Sequence, residues 1–185
     1  RYADDMVVHC RTEQEARQLL ASIDERLQNC KLNLHPTKTK VVYCQDKDRR
    51  KKYPVTEFDF LGYTFRKVWI KDRLGRLQLN FIASVSKKAE QALKDKVRAL
   101  EIHKRTGSKV EMIAEMLNPI LRGWMNYFGQ FNRSAMKQAL DCVQRRLIRW
   151  AMCKYKNLRG HQRRAEEWLK QVEKREPNMF AHWAL

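Results

Sequence analysis

The stretch FDFLGYTF, residues 58–65, decides the fold of this chain. Aromatic side chains alternate on both sides of Gly62. Alternation with a period of two is typical of β-strands, and a glycine inside such a pattern indicates a bulge or a close approach of the backbone. The stretch therefore predicts strand structure around Gly62. A turn at KDRLGR (71–76) and a second strand over LQLNFIAS (77–84) complete the prediction.

The residues before this stretch mix one helix with short extended segments. TEQEARQLLASIDERLQNC (12–30) has helical apolar spacing, and Thr12 with Glu15 forms a capping box at its start. The pattern predicts short extended segments at residues 32–34 and 41–43, separated by a break at Pro36 and Thr37. MVVHC (6–10) is predicted as the second arm of a hairpin whose turn holds Ala3, Asp4 and Asp5.

The residues after Ser86 have helical patterns only. The predicted helices cover 87–102, 109–117 with a capping box at Ser108 and Glu111, 119–129 with Asn118 as cap and Pro119 at the first position, 134–155, and 161–176. The predicted fold class is therefore α+β. We expect an α/β part over residues 1–85, a helical domain over 86–157 and a basic helical extension over 158–185.

The charge of the chain predicts a polyanionic partner. The formal net charge is +18 and the pI is near 10.0. Nucleic acid is the first candidate and an anionic membrane the second. No apolar run approaches the length of a transmembrane helix, and the first residues lead us to expect no signal peptide. Five cysteines without a CxxC pair indicate a reducing compartment, either bacterial cytoplasm or an organelle, and no secretion.

The stretch RYADDMVV (1–8) places two carboxylates, Asp4 and Asp5, inside an apolar run. Adjacent carboxylates repel each other and are costly to desolvate without a positive partner. An aspartate-rich hairpin turn is one interpretation. A magnesium site is the other, because Mg²⁺ prefers oxygen ligands. These eight residues alone leave both open.

Four segments now stand in order: YADD (2–5), LNLHPTKTK (32–40), FDFLGYTF (58–65) and LNPILRGWMNYFG (117–129). In this order the chain resembles the C-terminal part of a group II intron-encoded reverse transcriptase/maturase. The resemblance covers nearly the whole chain and implies the end of a polymerase palm followed by a helical thumb, or maturase domain. A strand-like segment at residue 1 without a preceding partner adds the expectation that the chain is a piece of a longer protein, with an artificial boundary as the alternative.

The resemblance implies roles for the palm residues. Asp4 is the firmest ligand for catalytic Mg²⁺ and Asp5 the second in a two-metal polymerase site. Lys38 contacts the departing pyrophosphate, with Lys40 as the rival position and an ordinary surface lysine as the alternative. The residues expected to bind primer and template are Tyr2, Phe60, Leu61 and Gly62. The third carboxylate and the fingers are not found in these residues.

The helical half carries the expected RNA contacts. Arg122 and Asn126 lie four apart on one helix, whereas Trp124 and Phe128 on another face are expected to pack the helical bundle. Residues 145–175 contain eleven Lys and Arg against three Glu, which favours phosphate binding over a merely solvated surface. The basic residues expected to bind RNA are Arg145, Arg146, Arg149, Arg163 and Arg164.

The resemblance implies RNA-directed DNA synthesis together with binding of intron RNA to assist splicing. The expected partners are group II intron RNA, an RNA template, a DNA primer, a DNA target and the upstream palm and fingers if these are encoded separately. The alternative is a non-catalytic RNA-binding maturase module that acts as a splicing cofactor. The two differ in class, because the first is an enzyme and the second a binding protein.

Overall fold

The computed structural model describes residues 1–49, 51–72, 74–131 and 133–184, without the side chains of residues 133–135. The elements within these residues are mainly helices, together with one three-stranded sheet. The prediction of an α+β fold is confirmed. The chain divides into two compact units, Arg1–Phe60 with Phe65–Ile82 and Leu61–Thr64 with Ala83–Leu185. The predicted boundaries at residues 85 and 157 remain a prediction.

The first unit contains helix α1, Glu13–Asn29. Thr12 caps the helix as predicted, because its side chain accepts a hydrogen bond from the Glu15 amide at 3.1 Å. The predicted strand at residues 41–43 is wrong. One backbone hydrogen bond joins Tyr43 to Val55 at 2.9 Å, and no ladder continues from it in the described residues. The predicted hairpin arm at residues 6–10 is also wrong, since it pairs with no described strand, and residues 32–34 have no regular secondary structure.

The sheet consists of β1 (Phe58–Phe60), β2 (Tyr63–Lys71) and β3 (Leu77–Val85), in the order β1-β2-β3. Phe58 stacks on Phe65 with ring centroids 4.9 Å apart, so the predicted alternation places these rings on one face. The turn before β3 closes on the Asp72 carboxylate. The amides of Leu74 and Arg76 donate to it, and these bonds, led by that of Arg76, lower the pKa of Asp72.

The second unit is a helical bundle. Its helices are α2 (Lys87–Ala99), α3 (Val110–Phe128), α4 (Arg133–Lys154) and α5 (Gln162–Arg175). Helix α4 packs against α2 and α5 and buries Trp150 completely. The Trp150 indole donates to the Arg105 carbonyl at 2.9 Å, and this hydrogen bond offsets the cost of removing its N–H group from water.

The structure corrects two helix boundaries in the bundle. Helix α3 runs without a break through Pro119, where the sequence predicted two helices. Leu117 and Leu121 are fully buried on either side of the proline, so tertiary packing overrides its helix-breaking tendency. Ser108 does not cap the helix. The residue before α3 is Lys109, which makes no capping bond, and Lys154 donates to the Ser108 carbonyl instead.

Asn118 has a different role from the predicted cap. Its side-chain amide donates to the Met179 carbonyl at 2.9 Å, and its side-chain oxygen accepts from the Ala181 amide at 2.8 Å. These two bonds fasten the C-terminal residues to the middle of α3. Phe180, which lies between the two bonded positions, is completely buried.

His182 lies in this fastened C-terminal segment. Its Nε2 is 3.2 Å from the Gln144 side-chain oxygen, and Trp183 donates to the same oxygen at 3.3 Å. The other ring nitrogen, Nδ1, is buried without a hydrogen-bond partner among the described residues. Burial lowers the pKa of His182 to about 4, from an ordinary value of 6.5.

We predict that His182 makes the fold acid-sensitive. Between pH 6.5 and pH 4 the unfolded chain carries a proton on this histidine and the folded chain does not, so stability falls as the pH falls. The contribution is on the order of 3 kcal/mol over this window. Denaturant unfolding of the wild type and of His182→Gln across pH 4 to 7 measures it. His161→Gln, at an exposed histidine, is the control. Wild-type and His182→Gln curves that stay parallel would contradict the prediction.

Candidate nucleic-acid and metal sites

The YADD segment forms a tight two-residue turn. Tyr2 and Asp5 exchange both backbone hydrogen bonds, at 2.8 and 2.9 Å, so Ala3 and Asp4 occupy the tip. Ala3 has a φ of 47°, an unusual value for a residue with a side chain. The sequence placed Asp5 inside the turn as well, whereas the structure pairs Asp5 with Tyr2. Tyr2, Asp4 and Asp5 are all exposed, so the turn presents both carboxylates to solvent.

The carboxylates of Asp4 and Asp5 have the chemistry that Mg²⁺ prefers, hard oxygen donors with room for water and phosphate ligands. They form a pair only. Among the described residues, no group of three or more His, Cys, Asp or Glu could hold a metal ion. The donor set therefore fits part of a magnesium site.

The two rival lysines stand in and beside a turn. Residues 36–38 form this turn, and the Thr39 amide donates to the His35 carbonyl at 3.0 Å. Lys38 and Lys40 are both exposed, and neither forms an ion pair within the described part of the chain. Their surroundings do not distinguish them, so the assignment of the palm lysine stays a prediction.

The Leu61-Gly62 turn between β1 and β2 is built on positive φ angles, 49° at Leu61 and 78° at Gly62. It belongs to the second unit, where the Gly62 carbonyl accepts from the Ser86 amide at 3.0 Å. A Cβ on Gly62 would stand 3.2 Å from the ring of Phe128. The close approach predicted at Gly62 is confirmed. The alternative prediction, a β-bulge, is wrong, because Gly62 lies in a tight turn.

Two tyrosines fasten this turn to the end of α3. The Tyr127 hydroxyl donates to the Leu61 carbonyl at 2.9 Å, and the Tyr63 hydroxyl donates to the Tyr127 carbonyl. Burial, followed by the neighbouring Tyr127, raises the pKa of Tyr63. No role at this turn was predicted for Tyr127 from the sequence. Phe128 is buried against Trp124, with ring centroids 4.5 Å apart, as predicted for packing residues.

A basic groove lies between α2 and α4. Its volume is about 300 Å³, and its lining residues are Lys94, Val97, Arg98, Cys142, Arg145, Arg146 and Arg149. The structure thus brings together three of the arginines predicted to bind RNA and adds two cations from α2. The sequence signal for Lys94 and Arg98 was their spacing of four, which puts them on one helix face. We call this feature the α2–α4 groove.

The cations of the α2–α4 groove differ in their pairing. Lys94 pairs with Glu90 at 2.5 Å and Arg98 with Asp95 at 3.4 Å, both within α2. The α4 arginines of the groove have no carboxylate within 4.0 Å among the described residues. The described part of the unit therefore holds none of these three guanidinium groups in an ion pair.

Cys142 forms the floor of the groove. Burial raises the pKa of its thiol, while the nearby charges of Lys94 and Arg145 act in the opposite direction. The thiol itself is nearly inaccessible, with 8% of the residue exposed.

The other predicted RNA-binding residues stand apart from the groove lining. Arg122 and Asn126 are exposed on α3, and Arg163 and Arg164 are exposed on α5. The structure gathers only the α4 arginines into a concave feature. The remaining four residues are dispersed on convex helix faces, and their roles stay predictions.

Comparison with known families gives two matches that cover most of the chain. Residues 1–65 match the reverse transcriptase (RNA-dependent DNA polymerase) family, and residues 90–168 match the group II intron, maturase-specific domain. The chain belongs to the group II intron reverse transcriptase/maturases. Comparison with curated proteins and with solved structures found no match.

The two family segments divide the candidate sites between them. The reverse transcriptase segment contains the YADD turn, both rival lysines and the Leu61-Gly62 turn. The maturase domain contains every residue of the α2–α4 groove and all the other predicted RNA contacts. The described residues include no helix that is both long and apolar enough to cross a membrane.

Gly62→Ala is predicted to destabilise the second unit more than a glycine substitution at an open position. Both Gly62 and Gly160 have a φ near 75°, so a side chain at either costs about 1 kcal/mol of backbone strain. At Gly62 the new Cβ also meets the Phe128 ring, whereas at Gly160 nothing lies within 4 Å. We expect Gly62→Ala to lose roughly 1 kcal/mol more than Gly160→Ala, because the overpacked ring must shift. Denaturant unfolding of both variants provides the measurement, and equal losses would contradict the contact.

Proposed function

We propose that the chain takes part in RNA-directed DNA synthesis and binds intron RNA through its maturase domain to assist splicing. The observation that carries the polymerase half is the YADD turn, which presents Asp4 and Asp5 to solvent inside a reverse transcriptase segment. A rigid two-residue turn suits this task, because its backbone bonds hold adjacent carboxylates in a fixed relation.

In this proposal Asp4 and Asp5 hold magnesium and a third carboxylate comes from another part of the polymerase. Bound magnesium supplies charge neutralisation at the phosphates of the incoming nucleotide. Lys38, or Lys40 in its place, donates a hydrogen bond to the departing pyrophosphate. Tyr2 faces the primer end, where its exposed ring is free to contact nucleic acid.

The Leu61-Gly62 turn is proposed to bind the primer backbone, with Phe60 beside it. Both turn residues need a left-handed backbone, and the glycine lets another chain approach closely. The tyrosine hydroxyl on the Leu61 carbonyl supports this proposal, because it holds the turn in one conformation before a primer arrives.

The second candidate is a non-catalytic maturase module that binds RNA only. It is favoured by the distribution of the core, since every buried side chain of the described residues lies in the second unit. It is also favoured by the incomplete metal donor set in the described residues. Primer extension separates the two candidates.

We predict that this polypeptide alone does not extend a primer. Two carboxylates are too few for a two-metal polymerase site, which needs a further ligand for both ions. The purified chain is incubated with an RNA template, a DNA primer, deoxynucleotides and magnesium, and the products are sized. Template-dependent extension by the chain alone would contradict this expectation.

Asp4→Ala is predicted to abolish extension by an enzyme in which this chain follows the fingers and the first part of a reverse transcriptase palm. RNA affinity should stay within about twofold, because the carboxylate serves the metal and the basic surface serves RNA. Asp24→Ala, at an acidic residue of α1 outside the YADD turn, is the matched control and should leave extension unchanged. An Asp4→Ala enzyme that retains full activity would sink the polymerase proposal and leave the RNA-binding module standing.

A further inference from the structure

The α2–α4 groove has the shape and charge of a site for an extended anion. Two helices form its walls, and each contributes cationic side chains at helical spacing. Lys94 and Arg98 lie one turn apart on α2, and Arg145 and Arg149 lie one turn apart on α4. Arg146 completes the α4 side. An anion along the groove therefore meets cations from both sides.

The unpaired arginines of α4 point to a ligand that is absent from the folded chain. Like charges at a spacing of four on a helix destabilise it by a few tenths of a kcal/mol. On α2 the corresponding cost is relieved by Glu90 and Asp95. On α4 no described carboxylate lies within 4.0 Å of the guanidinium groups of Arg145, Arg146 or Arg149, and the nearest acid along the helix is Asp141, one turn before Arg145. An arriving phosphate removes this repulsion and gains bidentate hydrogen bonds from the guanidinium groups.

The lining of the groove also indicates which part of a nucleic acid it contacts. Apart from the five cations, Val97 and Cys142 are the only described residues that line it. The lining therefore lacks the aromatic, amide, hydroxyl and carboxylate groups that read adenine, cytosine and uracil. Its arginines and lysine bind phosphates, and guanine is the one base whose edge they also recognise. The chemistry of the lining therefore suits the phosphates of a strand better than its bases.

We propose that the α2–α4 groove binds the sugar–phosphate backbone of one RNA strand without regard to base sequence. This inference rests on the proposed RNA-binding function of the maturase domain, and it names the place and the chemistry of the contact. Lys94 and Arg98 are part of the site alongside the α4 arginines. The exposed arginines of α5 are outside it.

The matched comparison is between two double variants with the same change in charge. Arg145→Gln/Arg149→Gln removes two cations from the groove, and Arg17→Gln/Arg26→Gln removes two exposed cations from α1, to which no RNA contact is assigned. All four arginines are exposed, so the substitutions are compatible with folding. Arg145→Lys/Arg149→Lys keeps the charge and gives a third variant. Thermal unfolding verifies that each variant folds.

The experiment is a salt titration of the affinity of the full chain for an oligouridine and for a mixed-sequence RNA of equal length. Log affinity falls linearly with log salt, with a slope of about −0.7 for each phosphate contact on a single strand. The groove glutamine variant should flatten the slope by about 1.4 and lower the affinity on the order of tenfold at 0.1 M salt, equally for both RNAs. The groove lysine variant should keep the slope of the wild type.

The outcomes separate the groove from the function on which it rests. If the wild type binds RNA and the α1 variant loses as much affinity and slope as the groove variant, the charge acts diffusely and the groove proposal is overturned. If the wild type binds neither RNA, both the groove and the RNA-binding function fail. Binding of the wild type and the groove variant to vesicles of phosphatidylserine is measured as well. Binding to them in preference to RNA, lost in the groove variant, would assign the groove to a membrane and overturn the proposal.

Discussion

The burial of α4 is the interaction on which the folded maturase domain depends. Its apolar face includes Leu147 and Trp150, both without exposed surface, and it packs against α2, α5 and the turn at Ile102–Lys104. The same helix must also keep charged side chains in contact with solvent, because another of its faces carries the groove arginines, which form no ion pair with a described residue. A single helix thus provides the core of the domain on one side and its most concentrated charge on another.

The Leu61-Gly62 turn shows how the reverse transcriptase and maturase sequences meet within one compact unit. The turn comes from the reverse transcriptase match, and its partners Tyr127 and Phe128 come from the maturase match. The hydrogen bond from Tyr127 to Leu61 spans 66 positions of sequence. The turn fits against α3 because Leu61 and Gly62 have positive φ angles and because Gly62 has no Cβ to collide with Phe128. The glycine therefore allows the packing of the maturase helix as well as the approach of a nucleic acid.

Sequence periodicity predicted the helices well and the short extended segments poorly. The helix predicted over 161–176 is observed as α5 at Gln162–Arg175, one residue shorter at each end, because burial of Leu169 and Val172 enforces a helical period. Residues 41–43 have strand composition but only one backbone bond to Val55, since a strand needs a partner that composition cannot supply. Pro119 led to the wrong prediction of two helices, because burial of the leucines beside it stabilises α3 by more than the loss of one backbone hydrogen bond destabilises it. Half of the groove was predictable from α4 alone, but the α2 half required knowing which helices are neighbours.

The net charge of +18 is a property of the whole chain, whereas recognition depends on how the charges are compensated locally. On α2 each groove cation has an acidic neighbour one turn away, which holds the side chain in place and weakens its field. On α4 no described carboxylate forms an ion pair with the groove arginines, so their guanidinium groups remain available to an anion that enters the groove. A phosphate backbone that binds there replaces the repulsion between the arginine side chains with attraction to the phosphates, and it releases the counterions of the nucleic acid. Both effects increase with each added phosphate. The arrangement therefore favours an extended polyanion over a single anion, because one phosphate cannot reach the cations of both helices along the full length of the groove.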